Sequence, residues 1–262
     1  MDEEIEQILN QLELDETFNE LISLNRLVGN RNAVAIAKTY VNSYQNDLAD
    51  GKKPTIKPML LIYQKGSGVH TFARSISNFF GSLQFHSVSG SWLSDGVIGF
   101  NQFFWEGDEF SSYYIHGDKF PSNCQLQLYT TLSTKKLPYF DWETNKWSKK
   151  PFSRLIILST ENKDNLSSLL LKQFPIQIYL KKLTVQEVAL ALKQRLALLN
   201  LTSSEDLLGQ IAQCCSDVGQ AMEVLAMSYR VMRSRNEDQL SEADFNKALY
   251  LLDKNASQKS VG

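Results

Sequence analysis

The residues best placed for chemistry lie where an apolar run, residues 59–63, is followed by a turn that contains Gly66 and Gly68. A segment with helical composition, residues 70–80, comes directly after this turn. The order strand, glycine-rich loop and helix allows backbone N–H groups to surround a phosphate. In a working loop of this kind a lysine contacts the β- and γ-phosphates, and the following serine or threonine binds Mg²⁺. The segment therefore predicts a phosphate-binding loop.

The side chains at the important positions of this loop are not those of a working site. If Gly68 is its last glycine, Val69 occupies the lysine position and His70 the position of the metal-binding serine or threonine. Lys65 lies on the other side of the glycines, and Thr71 supplies a hydroxyl only if the register shifts by one residue. We therefore predict a vestigial nucleotide site formed by Gly66, Ser67, Gly68, Val69, His70 and Thr71.

Two interpretations of this loop remain open. The backbone of Gly66, Ser67 and Gly68 still presents oriented amides and a positive helix dipole, so ATP or ADP would bind weakly and without Mg²⁺. Alternatively, the loop is retained only because folding needs the turn. Because the charge-assisted contacts of a lysine and a metal are the strong ones, we expect no tightly bound cofactor.

Four further segments predict the strands that would hold this loop in a sheet. They cover residues 84–88, 111–117, 153–160 and 176–180, and helical segments separate them. This order predicts an α/β fold of the P-loop NTPase type, with a parallel sheet flanked by helices. The aromatic and lysine-rich segment 138–151, between the third and fourth strands, predicts a hairpin.

Beyond the sheet, the pattern is helical throughout, which predicts a small all-α lid domain. Its helices are expected at residues 185–200, 204–215, 218–234 and 242–252. Thr184 with Glu187, and Ser241 with Asp244, have the spacing of helix N-terminal caps. We therefore divide the chain into a large α/β domain at 1–182, a helical domain at 183–254 and a disordered tail at 255–262. Further helices are expected at 3–14 and 32–44, the second followed by a polar loop at 46–58.

Composition excludes several classes of protein. The 262 residues carry a formal net charge of −2, and the pI near 6.0 is not that of a general nucleic-acid or membrane binder. The three cysteines, Cys124, Cys214 and Cys215, form neither a disulfide framework nor a metal-finger spacing. No apolar run reaches membrane-spanning length, and the acidic start of the chain is unlike a signal peptide. We expect a cytoplasmic protein without a membrane partner.

The order of these parts resembles the AAA+ ATPase superfamily and, within it, the RuvB-like branch of Holliday-junction motor ATPases. The similarity covers roughly residues 17–252. Residues 18–22 resemble the start of the family's domain, and residues 58–63 the strand before Walker A. Residues 127–132 resemble the helix after Walker B, and residues 240–244 the start of the final lid helix. The 138–151 hairpin lies where this branch inserts a hairpin before sensor 1.

The resemblance also locates the catalytic positions, and most of them have lost their catalytic residues. Walker B would fall on Ile115, His116, Gly117 and Asp118, which contain no adjacent pair of carboxylates. Sensor 1 is better preserved, with Thr160 and Asn162. Gln173 stands in the place of the arginine finger, and the sensor 2 segment 216–219 has no arginine. An arginine finger alone is worth about 10³–10⁵ in rate, so the resemblance implies no ATP hydrolysis and no catalytic residue.

Two further features carry alternative interpretations. His70 and His116 are expected to be neighbours in this fold, but no third ligand has suitable spacing, so no metal site is predicted. The hairpin combines lysines with four aromatic residues. In RuvB-like motors this hairpin contacts a protein partner; interleaved lysines and aromatics also suit nucleic acid, and packing within the hairpin is the third interpretation. The four aromatic residues are Tyr139, Phe140, Trp142 and Trp147.

These observations predict a pseudo-ATPase that serves as a scaffold or adaptor subunit. Its expected partner is a protein, such as an active AAA+ paralogue, and a DNA-transaction complex is the setting suggested by analogy. One alternative is an ATP-binding ATPase or DNA-helicase relative that uses the displaced residues Lys65, Thr71 and Asp118. Another is a nucleic-acid binder that uses the hairpin. The sequence leaves open whether the protein is an enzyme.

Overall fold

A computed structural model describes residues 23–82, 84–94, 99–105, 111–141, 145–198, 201–237 and 239–259. The helix predicted at 3–14 and the segment 18–22 therefore lie outside the described residues. In chain order the elements are α1 Arg31–Ala49, β1 Met59–Tyr63, α2 Val69–Phe80, β2 Gln84–Ser89, α3 Gly90–Ser94, α4 Phe100–Trp105, β3 Ser111–His116, α5 Ser122–Thr134, β4 Lys136–Asp141, β5 Lys146–Pro151, β6 Leu155–Thr160, a 3-10 turn Lys163–Asn165, α6 Ser168–Leu171, β7 Ile176–Leu180, α7 Val185–Leu198, α8 Glu205–Cys214, α9 Val218–Ser234 and α10 Glu242–Lys259.

The central sheet has five strands in the order β2-β3-β6-β1-β7, and every neighbouring pair is parallel. This confirms the predicted parallel sheet flanked by helices. The middle strand β6 is buried along its whole length, and its neighbours β1 and β3 nearly so, as expected for strands covered on both faces. Because the carboxyl ends of parallel strands meet at one edge, the ends of β1, β3 and β6 come together there.

Successive residues of β1 pack on opposite faces of the sheet. Leu60 belongs to a hydrophobic cluster with residues of α4 and α5, and Leu61 to a second cluster with residues of α1 and α2. This alternation is the normal consequence of the strand period of two. Helix α1 is longer than predicted: it continues to Ala49, into the predicted loop, because no glycine or proline interrupts the chain before Gly51.

The helices after residue 184 share a third hydrophobic cluster of their own, to which α7, α8, α9 and α10 all contribute. Both predicted caps form: the backbone N–H of Glu187 donates to Thr184 Oγ1 at 3.2 Å, and that of Asp244 to Ser241 Oγ at 3.4 Å. The prediction of a disordered tail is wrong for residues 255–259, because α10 continues to Lys259. Its last turns contain good helix formers and no glycine or proline.

Strands β4 and β5 form an antiparallel hairpin separate from the central sheet. The observed strands begin at Lys136, two residues before the predicted start, and the residues at the tip, 142–144, lie outside the described part of the chain. Among the helices that the structure describes, none has the length and apolar composition needed to cross a membrane.

Candidate functional site

The loop after β1 is a tight turn shaped by its glycines. Gly66 and Gly68 both adopt left-handed conformations, with φ of 83° and 73°, and Gly68 is the N-cap of α2. The backbone N–H of Ser67 donates to the Gln64 carbonyl at 3.1 Å, which closes the turn. Glycine adopts these positive φ values without steric cost, so the two glycines determine the shape of the loop.

The helical part of the chain packs directly on this loop. A Cβ placed on Gly66 would lie 2.7 Å from Cβ of Asp217, the N-cap residue of α9. The backbone N–H of Leu183 also donates to the Gly66 carbonyl, at 3.3 Å. The segment predicted as sensor 2 therefore does face the loop, but the side chain it brings closest is the Asp217 carboxylate, which caps α9 by accepting from the N–H of Gln220.

A cavity of about 760 Å³ lies between the loop and the helical part. This is within the size range of small-molecule sites, about 300–1,000 Å³. The N-terminal residues of α2 and α9 both line it, so two helix dipoles present their positive ends to the same space. Three basic residues also line the cavity: Arg26, Lys65 and Arg195. The hydroxyl oxygen of Ser67 is buried there and has no hydrogen-bond partner within the described residues.

The side chains after Gly68 do not restore the missing charge. Val69, in the lysine position, is buried in the hydrophobic cluster on the α2 face of the sheet. His70 remains partly exposed, and its ring packs edge-on against Phe85 and Tyr114. Desolvation by these neighbours, and then the positive charge of Arg74, lower the pKa of His70. Thr71 lines the cavity.

The end of β3 has no space for a second acidic side chain. Ile115 is fully buried in the core and Gly117 follows His116 at the strand end. A Cβ on Gly117 would lie 2.4 Å from the Ser159 carbonyl oxygen, because the Gly117 N–H already donates to that oxygen at 2.7 Å. Real Cβ atoms do not approach a backbone oxygen this closely. A glutamate at position 117 is therefore incompatible with this packing.

Asp118, the acid nearest to this strand end, accepts hydrogen bonds from two neighbours and lies close to a third. The Tyr63 hydroxyl donates a short hydrogen bond to Asp118 Oδ2, and the Glu161 N–H donates to Oδ1 at 3.3 Å. His116 Nδ1 lies 3.4 Å from Oδ2, and its Nε2 lies 3.1 Å from the Tyr63 oxygen. Because the Tyr63 proton goes to Asp118, we assign Nε2 of His116 as the donor to Tyr63. Burial, and then the hydrogen bond to Asp118, raise the pKa of Tyr63.

The two histidines are neighbours, as the sequence predicted. Both rings pack against Tyr114, and they are close enough for the charge of His116 to contribute to lowering the pKa of His70. Within the described ranges no group of three or more histidine, cysteine, aspartate or glutamate side chains is positioned to hold a metal ion.

The polar side chains predicted as sensor 1 form hydrogen bonds with nearby backbone groups. Thr160 is fully buried, and its hydroxyl donates to the Asn162 carbonyl at 2.8 Å. Asn162 Oδ1 accepts from the N–H of Asp164 at 3.0 Å and caps the 3-10 turn. Ser159, which precedes Thr160 in β6, forms a hydrogen bond between its Oγ and the Tyr114 hydroxyl at 2.9 Å. These contacts account for the residue types without a phosphate.

Sequence reasoning missed several residues of the site. Tyr63 is the last residue of β1, at the edge of the sheet where ligands bind, and that position could have indicated it. Arg26 and Arg195 line the cavity from segments that lie far from the loop in sequence, and no motif marked them.

The hairpin residues lie apart from the residues that line the cavity. Trp147 is 66% exposed, while the Tyr139 ring lies 4.1 Å from the Lys150 ammonium group. Trp142 and the side chain of Phe140 lie outside the described part of the chain.

Together, the sheet order and the loop after β1 define an α/β fold of the P-loop NTPase type. More specifically, the chain has a RuvB-like AAA+ fold. The solved structure of the Thermotoga maritima RuvB Holliday junction branch migration motor matches with a TM-score of 0.64 over 90% of this chain and 73% of that chain, at 17% identity. Two RuvB mutants match with TM-scores of 0.67 and 0.68, also at 17% identity, over 88% and 90% of this chain and 73% of theirs. No protein-family model matches the chain, and a search of curated protein sequences found no similar protein.

Proposed function

We propose that this protein is a RuvB-like AAA+ subunit that does not hydrolyse ATP and that acts as a scaffold or adaptor. The observation that carries the proposal is the packing of Gly117 against the Ser159 carbonyl, which leaves no space for the glutamate that would activate water. Hydrolysis of ATP by this fold needs a positioned water and compensation of the charge on the transferring phosphoryl group. We infer that no described residue at the end of β3 positions this water or compensates this charge.

Two other features support the absence of hydrolysis. Val69 is buried where a lysine would contact the phosphates, so that position supplies an apolar contact to the core instead of a charge. The Asp118 carboxylate accepts hydrogen bonds on both oxygens, from Tyr63 and from the Glu161 amide. These two bonds hold the Asp118 carboxylate against the edge of the sheet and use part of its capacity to accept, which disfavours binding of Mg²⁺ there.

The scaffold role and its setting rest on the fold. A subunit that does not hydrolyse ATP but keeps this fold still has the surfaces through which such subunits contact their partners. The RuvB structure that this chain matches is a Holliday junction branch migration motor. We therefore propose a DNA-transaction complex as its setting and a protein partner such as an active AAA+ paralogue. The helices from residue 185 to Lys259 would serve as the lid over the cavity.

The first test is release of phosphate from ATP in the presence of Mg²⁺, with an active P-loop ATPase at the same concentration as the reference. We expect the protein to release phosphate at the rate of the buffer blank. The Lys65→Ala and Asp118→Asn variants separate this outcome from the displaced-residue alternative. Turnover above the blank that falls in either variant would overturn the proposal and would locate the displaced catalytic residue.

A second candidate role is retention of a nucleotide without turnover. The specific observation that favours it is the cavity, which is lined by two helix N-termini, three basic side chains and the Ser67 hydroxyl, for which the described part of the chain offers no hydrogen-bond partner. Such a site suits phosphate oxygens without a metal ion. The role of the nucleotide would then be to hold the helical part against the sheet.

Titration with fluorescent ATP and ADP analogues, in Mg²⁺ and in EDTA, tests this second role. We expect weak binding that EDTA does not change and that Lys65→Ala weakens, while Lys53→Ala, an exposed lysine in a loop that does not line the cavity, has no effect. Absence of binding would mean that the loop is purely structural. Binding that requires Mg²⁺ would contradict the metal-free site.

A further inference from the structure

The negative charge of this chain is concentrated at its N-terminal end. Residues 1–22 contain eight acidic side chains and no basic one. The whole chain has 27 basic and 29 acidic residues, so residues 23–262 keep 27 basic against 21 acidic residues, a net charge of +6. Such a block of like charge at one end of a chain is typical of a segment that binds an oppositely charged surface.

The first described residues, from 23 onward, lie beside the cavity. Leu24 is buried in the hydrophobic cluster on the α2 face of the sheet, and Arg26, Leu27 and Val28 line the cavity. The point at which residues 1–22 join the fold is therefore fixed within a few residues of the cavity. The last eight residues of the segment alone span up to about 26 Å when extended, so the residues before them can reach the whole cavity.

The charges of the cavity are complementary to those of the segment. Three of its lining residues are basic, Arg26, Lys65 and Arg195. The cavity has one acidic lining residue, Asp217, which is the N-cap of α9, and a further basic residue, Lys182, lies against the loop. The N-termini of α2 and α9 add the positive ends of two helix dipoles, a position that suits a carboxylate as well as a phosphate.

The remaining cavity lining contains many aliphatic side chains, among them Leu198 and Met222. The acidic segment also contains aliphatic residues, and Ile5, Ile8 and Leu12 have the spacing of one helical face. A polypeptide that combines carboxylates with aliphatic side chains therefore matches both parts of the lining. Because the segment belongs to the same chain, it is also present at a high effective concentration.

We propose that the acidic segment 1–22 binds in the cavity of its own chain, with carboxylates at the loop after β1 and aliphatic side chains against the aliphatic lining. The segment then competes with a phosphorylated ligand, because both use the same positively charged end of the cavity. This competition rests on the nucleotide-retention role proposed above, whereas binding of the segment does not.

Zero-length crosslinking with a carbodiimide tests the contact in the full chain, because the reagent joins a carboxylate to a lysine amine where the two form a close pair. Arg26 is the first trypsin site, so all eight acids remain in the peptide of residues 1–26. We expect this peptide to be joined to Lys65, with a yield that decreases as NaCl is raised from about 50 to 500 mM. The crosslinked peptide should be missing in Lys65→Ala. Lys53, an exposed lysine that does not line the cavity, is the matched control and should not be joined to the peptide.

A mixture of isotope-labelled and unlabelled protein separates contact within one chain from contact between two chains. We expect crosslinks within each isotopic form and none between the forms. Crosslinks between the forms would overturn the proposal and assign the segment to a second copy of the chain. Equal coupling to Lys53 and Lys65, or no coupling at the lowest salt, would also overturn it.

Displacement of a fluorescent ADP analogue measures the competition. The Glu3→Gln/Glu4→Gln variant removes two charges from the segment, and we expect ADP affinity to rise by about three- to tenfold, the order expected for loss of two exposed ion pairs. Asp206→Asn/Glu242→Gln removes two charges from exposed positions that do not line the cavity, and should leave the affinity unchanged.

The outcomes of the displacement experiment separate the competition from the role on which it rests. An equal rise in both variants, or no rise in Glu3→Gln/Glu4→Gln, would overturn the competition. Absence of ADP binding in all three proteins would overturn the nucleotide-retention role, and the crosslinks would still decide whether the segment binds in the cavity.

Discussion

The loop after β1 and the end of β3 lie near one another at the carboxyl edge of the same sheet, but different features fix their geometry. In the loop, Gly66 and Gly68 have positive φ values, and the backbone conformation determines the shape. At the end of β3, Gly117 is in close contact with Ser159, and the Asp118 carboxylate accepts a hydrogen bond from Tyr63. The loop is defined by its backbone conformation, whereas the strand end is defined by its contacts with the neighbouring strands.

The difference shows that the two parts of such a site depend on different physical requirements. The loop needs only glycines with positive φ, and its contacts with Leu183 and Asp217 tie that conformation to the packing of the helical part. A catalytic carboxylate pair stabilises no fold, since two partly buried like charges repel and must be desolvated. Replacing such a carboxylate pair therefore carries little structural cost, whereas changing the loop conformation disturbs its contacts with the helical part.

The largest expected effect comes from placing an acidic side chain at the strand end. Gly117→Glu places a side chain against the Ser159 carbonyl, at a position where even a Cβ comes within 2.4 Å. We expect the free energy of unfolding to fall by about 3 kcal/mol, as for a severe overpacking substitution, and ATP hydrolysis to remain absent. Chemical denaturation and phosphate release measure the two quantities.

Gly99→Ala is the control for this prediction, because the nearest side-chain atom to its added Cβ is at the ordinary contact distance of 3.7 Å. A stable Gly117→Glu variant that hydrolyses ATP would show that the strand end can accept the acid, and would remove the contrast with the loop.

Gly66→Ala tests whether contact with the helical part holds the loop. Gly66 and Gly81 have nearly the same φ, 83° and 84°, but only Gly66 has an atom within 3 Å of the added Cβ. We expect Gly81→Ala to cost about 1 kcal/mol from the left-handed conformation alone, and Gly66→Ala about 2–3 kcal/mol because the contact with Asp217 is added. Equal losses by chemical denaturation would mean that the helical part yields and does not hold the loop.

Tyr63→Phe tests the hydrogen bond that occupies Asp118. Removing the hydroxyl leaves a partly buried carboxylate with one donor fewer, so we expect a loss of about 1.5 kcal/mol at neutral pH. The folded state raises the pKa of Tyr63, so its stabilising effect is complete below the ordinary tyrosine pKa of about 10 and is lost as the pH rises further. The variant should therefore lose less stability than the wild type in alkaline solution, measured by thermal unfolding at a series of pH values. Parallel curves for the two proteins would contradict the assigned hydrogen bond.

The smallest expected effect concerns His70. Desolvation and Arg74 lower its pKa in the folded state, so the neutral form is favoured there. Its contribution to stability is complete above the ordinary histidine pKa of about 6.5 and decreases as the pH falls below that value. His70→Gln removes this titration, so its unfolding midpoint should fall less steeply than that of the wild type between neutral and mildly acidic pH. A steeper decrease in the variant would mean that His70 is stabilised in its charged form.

Much of the fold was accessible from the sequence. The apolar runs predicted every strand of the central sheet, and the glycine-punctuated turn predicted the loop conformation, because strand and turn signals act over a few neighbouring residues. The RuvB-like resemblance is confirmed at the level of fold by solved structures that are only 17% identical. The end of the last helix was misplaced, because a polar segment that continues a helix resembles a polar tail.

The site was less accessible, since its decisive contacts join distant parts of the chain. Tyr63 and Asp118 are 55 positions apart, and Arg195 lines the same cavity as Gly66 from a helix in the other half of the chain. No local spacing encodes such a pair.

By itself, the sequence predicted the strands of the sheet, and it gave the residue types at the positions where the resemblance expects the lysine, the acidic pair and the arginines. These are properties of residue type and short-range periodicity, which are fixed before any tertiary contact forms. Only the tertiary structure decided that Gly117 has no space for a side chain, that Asp118 is occupied by Tyr63, and that Asp217 approaches Gly66. Those outcomes depend on which strands are adjacent and how closely the helical part packs on them, and that is a consequence of the folded arrangement as a whole.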